Sequence, residues 1–408
     1  MQRFDDRDLG LAPRRATVSA VRTGLDVLLR DGHPLLKGKR VGLLCNQASV
    51  DASLEYAHDA LVARTDFTVA ALFGPQHGLW GTTQDNMIEW EGGRDERLDV
   101  PVHSLYGAHR KPPAGWLEGL EVMVIDLLDI GARYYTFLWT ATYVLEACAE
   151  AGIPVLVLDR PNPINGVDVE GPPHDAEYAS FVGRFSLPVR HGLTMGELLG
   201  MLNRTHALGC DLTVLQMEGW TRAMWFDQTG LPWSMPSPNM PTLDTAVIYP
   251  GFCLFEGTMV SEGRGTTRPF EIVGAPWVEP YALAAAMERE GLAGAYFRPL
   301  FFEPTFQKHA RETCGGVFVH VTDRNAFRSV HVAVALLHHL RRLYPGQFQW
   351  KQPPYEYEAV KMPFDILAGG DTLRHQIEAG IPPFDIAAGW SAAEDAFRAS
   401  RQEYLLYS

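Results

Sequence analysis

Gly74-Pro75-Gln76-His77-Gly78 sets an amide and an imidazole between two glycines. Imidazole changes charge near neutral pH and serves as acid, base or ligand. The glycines allow backbone shapes that turn Gln76 and His77 toward a bound molecule. The following polar stretch carries Asp85, Glu89 and Glu91 beside Trp80 and Trp90, so carboxylates lie next to rings that can stack on a sugar or staple a long loop to the core. Residues 126–136 supply Asp126, Asp129, Arg133, Tyr135 and Thr136, a set suited to recognising hydroxyl groups. Asp159-Arg160-Pro161-Asn162-Pro163 forms a rigid polar turn, because each proline restricts the residue before it. Further on, Glu256 lies in Phe-Glu-Gly-Thr, and Arg264 and Arg268 lie in the glycine-rich run 261–271. No GxxxxGK[ST], GxSxG or HExxH pattern accompanies these groups, so nucleotide binding, a serine-hydrolase elbow and a zincin pair are not indicated. A metal-assisted hydrolase using His77, Asp126 and Asp159 stays open as one reading.

Short apolar runs closed by polar residues must position these groups. Arg40–Asn46, Val69–Phe73, Val122–Ile125 and Pro154–Leu158 each read as a buried parallel strand. Helical patterns over 53–64 and 137–151 separate some of them, which predicts an α/β, Rossmann-like parallel sheet. Ligands of such sheets bind beyond the carboxyl ends of the strands. Asn46, Gln76, His77, Asp126, Asp129, Asp159 and Arg160 are expected on that edge. The proline-rich stretch 232–241 ends the alternation, and beyond it 281–289 and 330–343 read as helices and 316–321 as a strand. The expected organisation is an N-terminal mobile arm (1–18), a Rossmann-like catalytic domain (19–248) and a smaller α+β domain (249–408), with a cleft between the two domains.

A net charge of −14 offers no general footprint for nucleic acid. No apolar run is long enough to span a bilayer, and no signal-like apolar stretch opens the chain, so membrane insertion is not expected. The five cysteines are scattered singly without a CxxC pair, as in a reduced, cytoplasmic protein.

Taken in order, GPQHG, DLLDIGARYYTF, LDRPNP, PSPNMPTLDTA, LFEGT, SEGRGTTRPFE and the terminal YLLY resemble the NamZ-like exo-β-N-acetylmuramidases, a bacterial glycoside hydrolase family. The resemblance runs from about Val21 to Ser408. It implies release of N-acetylmuramic acid, or a related amino sugar, from the non-reducing end of peptidoglycan fragments during cell-wall turnover. It implies no nucleotide or organic cofactor and a carbohydrate or muropeptide partner; no metal ligand is assigned, and a homodimer stays open. Gln76, His77, Glu89 and Glu256 become catalytic candidates. Asn46, Asp126, Asp129, Arg133, Tyr135, Asp159, Arg160, Asn162, Arg264 and Arg268 become substrate-binding candidates, with Arg133, Arg160, Arg264 and Arg268 offering guanidinium forks for the sugar's lactyl carboxylate. The family usually carries glutamate where this chain has Gln76, and an amide cannot exchange a proton as an acid does. Either another carboxylate such as Glu89, Glu91 or Glu256 takes that role, or the leaving group needs only one, or the chain binds muropeptides without cleaving them.

Overall fold

The computed structural model describes residues 21–408 apart from Asn86; the expected arm (1–18) lies outside the described residues. The first part runs α1 (Gly24–Asp31), β1 (Arg40–Cys45), α2 (Ala57–Val62), β2 (Thr68–Gly74), β3 (Gly93–Asp95), β4 (Val100–Ser104), α3 (Ala114–Leu117), β5 (Val122–Asp126), α4 (Phe137–Ala151), β6 (Val155–Leu158), α5 (Met195–Thr205) and β7 (Leu212–Leu215). The strands form one sheet in the order β3-β4-β2-β1-β5-β6-β7, parallel except for β3 at the edge. Strands β5 and β6 are buried throughout, which explains why their sequences are continuous apolar runs rather than alternations. Strand order reverses between β1 and β5, the doubly wound arrangement.

The second part runs α6 (Leu243–Phe252), β8 (Ile272–Ala275), α7 (Pro280–Glu288), β9 (Ala295–Phe302), β10 (Cys314–Val321), α8 (Ser329–Leu343), α9 (Pro363–Ala368), α10 (Thr372–Glu378), α11 (Pro383–Ala388) and α12 (Ser391–Ser400). Its three-stranded antiparallel sheet has the order β8-β10-β9. The α/β reading with a smaller α+β part therefore holds. One apolar cluster runs from Phe73 and Ile125 through α4 to Phe252, Val317, Leu336 and Phe364, so both parts share a core.

At the β1/β5 crevice, where open sheets commonly take ligands, the proline-rich segment fills the space. Asn46 Nδ2 donates to the Pro236 carbonyl at 3.0 Å, and Gln47 Nε2 donates to Met235 at 2.8 Å. The polar pocket opens instead beyond β2 and β5, against the second part of the chain.

Candidate active site

Gly74 ends β2 because the Trp90 indole packs against its backbone; a Cβ there would lie 2.7 Å from the ring. Trp90 Nε1 also donates to the Pro75 carbonyl at 2.9 Å. Trp90 is thus a staple for this loop, and Trp80 meets Tyr56 and His58 edge-on. Held in this way, Gln76 and His77 line a narrow pocket with Tyr135, Thr136, Glu256, Arg264, Tyr355 and Glu356.

Glu356 organises one wall. The Thr136 hydroxyl donates to Gln76 Oε1 at 2.6 Å, and Gln76 Nε2 faces Glu356 Oε1 at 3.5 Å. The Tyr106 hydroxyl, from the loop after β4, donates to Glu356 Oε2 at 2.9 Å. Burial raises the Glu356 carboxyl to about 7, with the nearby Glu256 charge adding to it against the hydrogen bonds from Tyr106 and Gln76. Glu356 and Tyr357 have φ of 45° and 71°, and the turn is closed by reciprocal backbone hydrogen bonds between Tyr355 and Glu358 at 2.9 Å. Two left-handed non-glycine residues in succession cost of order 1–3 kcal/mol each, and such strain clusters at functional sites.

Glu256 occupies the other wall. Arg264 Nη2 donates to it at 2.7 Å and the Tyr355 hydroxyl at 2.7 Å. Burial pushes this carboxyl up, but the Arg264 charge and these hydrogen bonds outweigh burial and hold it below its ordinary value. Arg264 Nε also faces Glu262 at 3.4 Å, while its Nη1 is buried without a hydrogen-bond partner among the described residues. His77 Nδ1 lies 2.8 Å from the Thr83 carbonyl; a carbonyl only accepts, so Nδ1 carries the proton and Nε2 keeps its lone pair. Burial lowers the imidazole to about 4, leaving it neutral near pH 7. The site therefore presents a carboxyl that exchanges its proton near neutral pH, a carboxylate held in its charged form, a neutral imidazole and one unengaged guanidinium nitrogen.

Of the sequence candidates, the structure brings Gln76, His77, Tyr135, Glu256 and Arg264 together here. Others are engaged elsewhere. Asp126 and Arg160 form a buried pair, with Arg160 Nη2 donating at 2.8 Å. Asp159 accepts from Thr194 at 2.7 Å, Gly196 N at 2.8 Å and Tyr407 at 2.6 Å. Arg133 donates to the Pro172, Leu187 and Leu367 carbonyls. Asp129 accepts from Gly131 N at 2.7 Å, and Asn162 bonds Leu193 O and Ile164 N. Arg268 is half exposed and faces Glu271 at 3.4 Å. Glu89 is exposed at the rim, where it meets the Tyr357 hydroxyl. His77, Asp126 and Asp159 are not gathered into a ligand set, and no group of three or more metal-binding side chains occurs among the described residues. Glu356, Tyr355 and Tyr106 were not singled out by the sequence; the Pro353-Pro354-Tyr355-Glu356-Tyr357-Glu358 segment, with its prolines and alternating aromatics and acids, was the available signal.

Comparison with known proteins places this chain in a family. Residues 41–244 match the family model for the N-terminal part of exo-β-N-acetylmuramidase NamZ, and residues 247–407 match the model for its C-terminal part. The peptidoglycan β-N-acetylmuramidase NamZ of Bacillus subtilis (strain 168) is 42% identical over 387 residues, covering 95% of this chain and 91% of that protein. Two crystal structures of DUF1343 family proteins from Bacteroides fragilis NCTC 9343 share the fold. One has a TM-score of 0.87 at 35% identity and the other 0.74 at 29%, each match covering 95% of this chain and 99% of the other. No helix among the described residues is long and apolar enough to cross a membrane. This chain belongs to the exo-β-N-acetylmuramidase NamZ family.

Proposed function

We propose that the pocket hydrolyses the glycosidic bond of an N-acetylmuramic acid at the non-reducing end of peptidoglycan fragments, with Glu356 as general acid and Glu256 as its ionised partner. The observation that carries the assignment is the split between the two carboxyls: burial raises Glu356 to about 7, while Arg264 holds Glu256 below its ordinary value. Glycosidases divide labour between two carboxyl groups in this way, one protonated and one charged. Glu356 donates its proton to the glycosidic oxygen as the C1–O bond breaks. Glu256 counters the positive charge developing at C1, and the water that adds there releases the proton that restores the acid. Gln76 holds Glu356, and the free Nη1 of Arg264 and Nε2 of His77 offer a donor and an acceptor for sugar oxygens. On this reading Gln76 does not silence the enzyme, because a different carboxyl supplies the proton. The five buried, unpaired cysteines suit a reducing compartment, and we place the activity in the cytoplasm.

The test is release of N-acetylmuramic acid from the disaccharide N-acetylmuramyl-β-1,4-N-acetylglucosamine, whose sugar leaving group must be protonated to depart, by wild type and by Glu356→Gln. Loss of a positioned general acid lowers kcat roughly 10²–10⁴-fold. Undiminished turnover by Glu356→Gln would reject the assignment, and a wild type inert on this substrate would reject the hydrolase itself.

A further inference from the structure

N-Acetylmuramic acid differs from N-acetylglucosamine by one group, the ether-linked lactyl carboxylate. A site that selects the first sugar needs a cation that is within reach and not already neutralised. Most cations around the pocket fail the second condition. Arg264 is matched by Glu256 and Glu262, and its free Nη1 sits beside the Glu256 charge, which suits a neutral sugar oxygen better than an anion. Lys308 donates to Glu262 at 2.7 Å and to two carbonyls, Arg268 faces Glu271, Arg160 is paired with Asp126, and Arg133 is enclosed by carbonyls.

Arg110 is different. It lies in the loop after β4 that also carries Tyr106 to Glu356. Its guanidinium carbon is 3.9 Å from the centre of the Tyr357 ring and 5.9 Å from that of Phe181. Among the described residues no carboxylate lies within ion-pair distance of it, although Arg94, Arg97 and Lys111, on neighbouring segments, all have such partners. Tyr357 is 45% exposed and follows Glu356 directly in the chain. The guanidinium sits over the ring and also hydrogen-bonds the Tyr357 hydroxyl, which holds it at this rim; a guanidinium carries five N–H donors, so others remain to receive a carboxylate. Glu89 on the same rim engages the Tyr357 hydroxyl.

We propose that Arg110, backed by the Tyr357 ring, binds the lactyl carboxylate and gives the site its preference for muramic acid over glucosamine. This inference rests on the muramidase reading, since it supposes that a sugar with its glycosidic oxygen at Glu356 turns its substituents toward this rim.

The experiment measures calorimetric Kd values for N-acetylmuramic acid and N-acetylglucosamine with wild type, Arg110→Met and Arg110→Lys, alongside turnover of the matching aryl β-glycosides. Arg110 is partly exposed, and unfolding temperatures verify that the variants fold. Arg110→Met is expected to weaken muramic acid binding roughly ten- to a hundredfold, the range of one charge-assisted contact, to leave glucosamine unchanged, and to raise KM for the muramide with little change in kcat. Arg110→Lys, which keeps the charge and loses the fork, is expected to fall between. Equal loss for both sugars, unchanged muramic acid binding, or a wild type that does not distinguish the two sugars would each overturn the proposal. If the binding pattern holds while no aryl glycoside is cleaved, the assignment of Arg110 stands and the hydrolase reading fails.

Discussion

Gln76→Glu changes one atom in the pocket, the amide nitrogen that faces Glu356 Oε1. With glutamine there, Glu356 titrates at about 7, close to where a general acid works best at neutral pH. A second carboxylate at that distance disfavours ionisation of the first. The acid must be protonated to act, so kcat/KM is expected to be high below pH 7 and to fall above it. In Gln76→Glu this falling limb should move upward by on the order of one pH unit. A pH profile whose alkaline limb stays in place in the variant would assign the proton to another group. At this scale half of the site was legible: the residue types at Gln76, His77, Tyr135, Glu256 and Arg264 announced a polar pocket. Glu356 was not, because its place in the pocket comes from contact with a residue 280 positions away and from burial, neither of which leaves a local pattern.

The elements were easier to read than the contacts between them. Strands β1, β2, β5 and β6 declared themselves because burial on both faces demands unbroken apolar runs. By contrast β7 is partly exposed along its length, and β4 carries Pro101, so neither has that signature. Polar residues at the strand ends were rightly expected to gather at the carboxyl edge, yet several of them serve the elements themselves. Asp159 shows why: it follows β6 and receives the hydroxyl of Thr194, the N-cap of α5. Thr194 also completes a capping box, with its Oγ1 accepting from Glu197 N at 3.2 Å and its own N–H donating to the Glu197 carboxylate at 3.0 Å. Thr194→Ala removes the cap and one bond to a buried carboxylate, and is expected to cost about 1–2 kcal/mol in urea unfolding. Activity per folded molecule should be preserved, because the pocket draws on other strands; a kcat deficit as large as that of Glu356→Gln would place Asp159 in the chemistry after all.

Across the whole molecule the active site depends on closure of the chain upon itself. Gln76 belongs to the first sheet and Glu356 to the long connection after α8, and a shared apolar core fixes their separation. The C-terminal tail makes the same connection from the other side. Tyr407 donates to Asp159 at 2.6 Å and accepts from Met217 N at 3.0 Å, Leu406 N donates to Glu197 at 2.8 Å, and Ser408 O accepts from Arg222 N at 2.9 Å. Two family models divide the sequence near residue 245, but packing does not divide the core there. Tyr407→Phe leaves a buried carboxylate and a backbone N–H each short of one partner, a loss of about 1–3 kcal/mol. If the two parts are one cooperative unit, calorimetry should show a single transition moved to lower temperature, with muramidase activity and tertiary circular dichroism lost together along it. Separation into two transitions, with the first-sheet part melting alone, would mean that the tail secures only its own neighbourhood and that the two walls of the pocket are held by weaker contacts than the shared core implies.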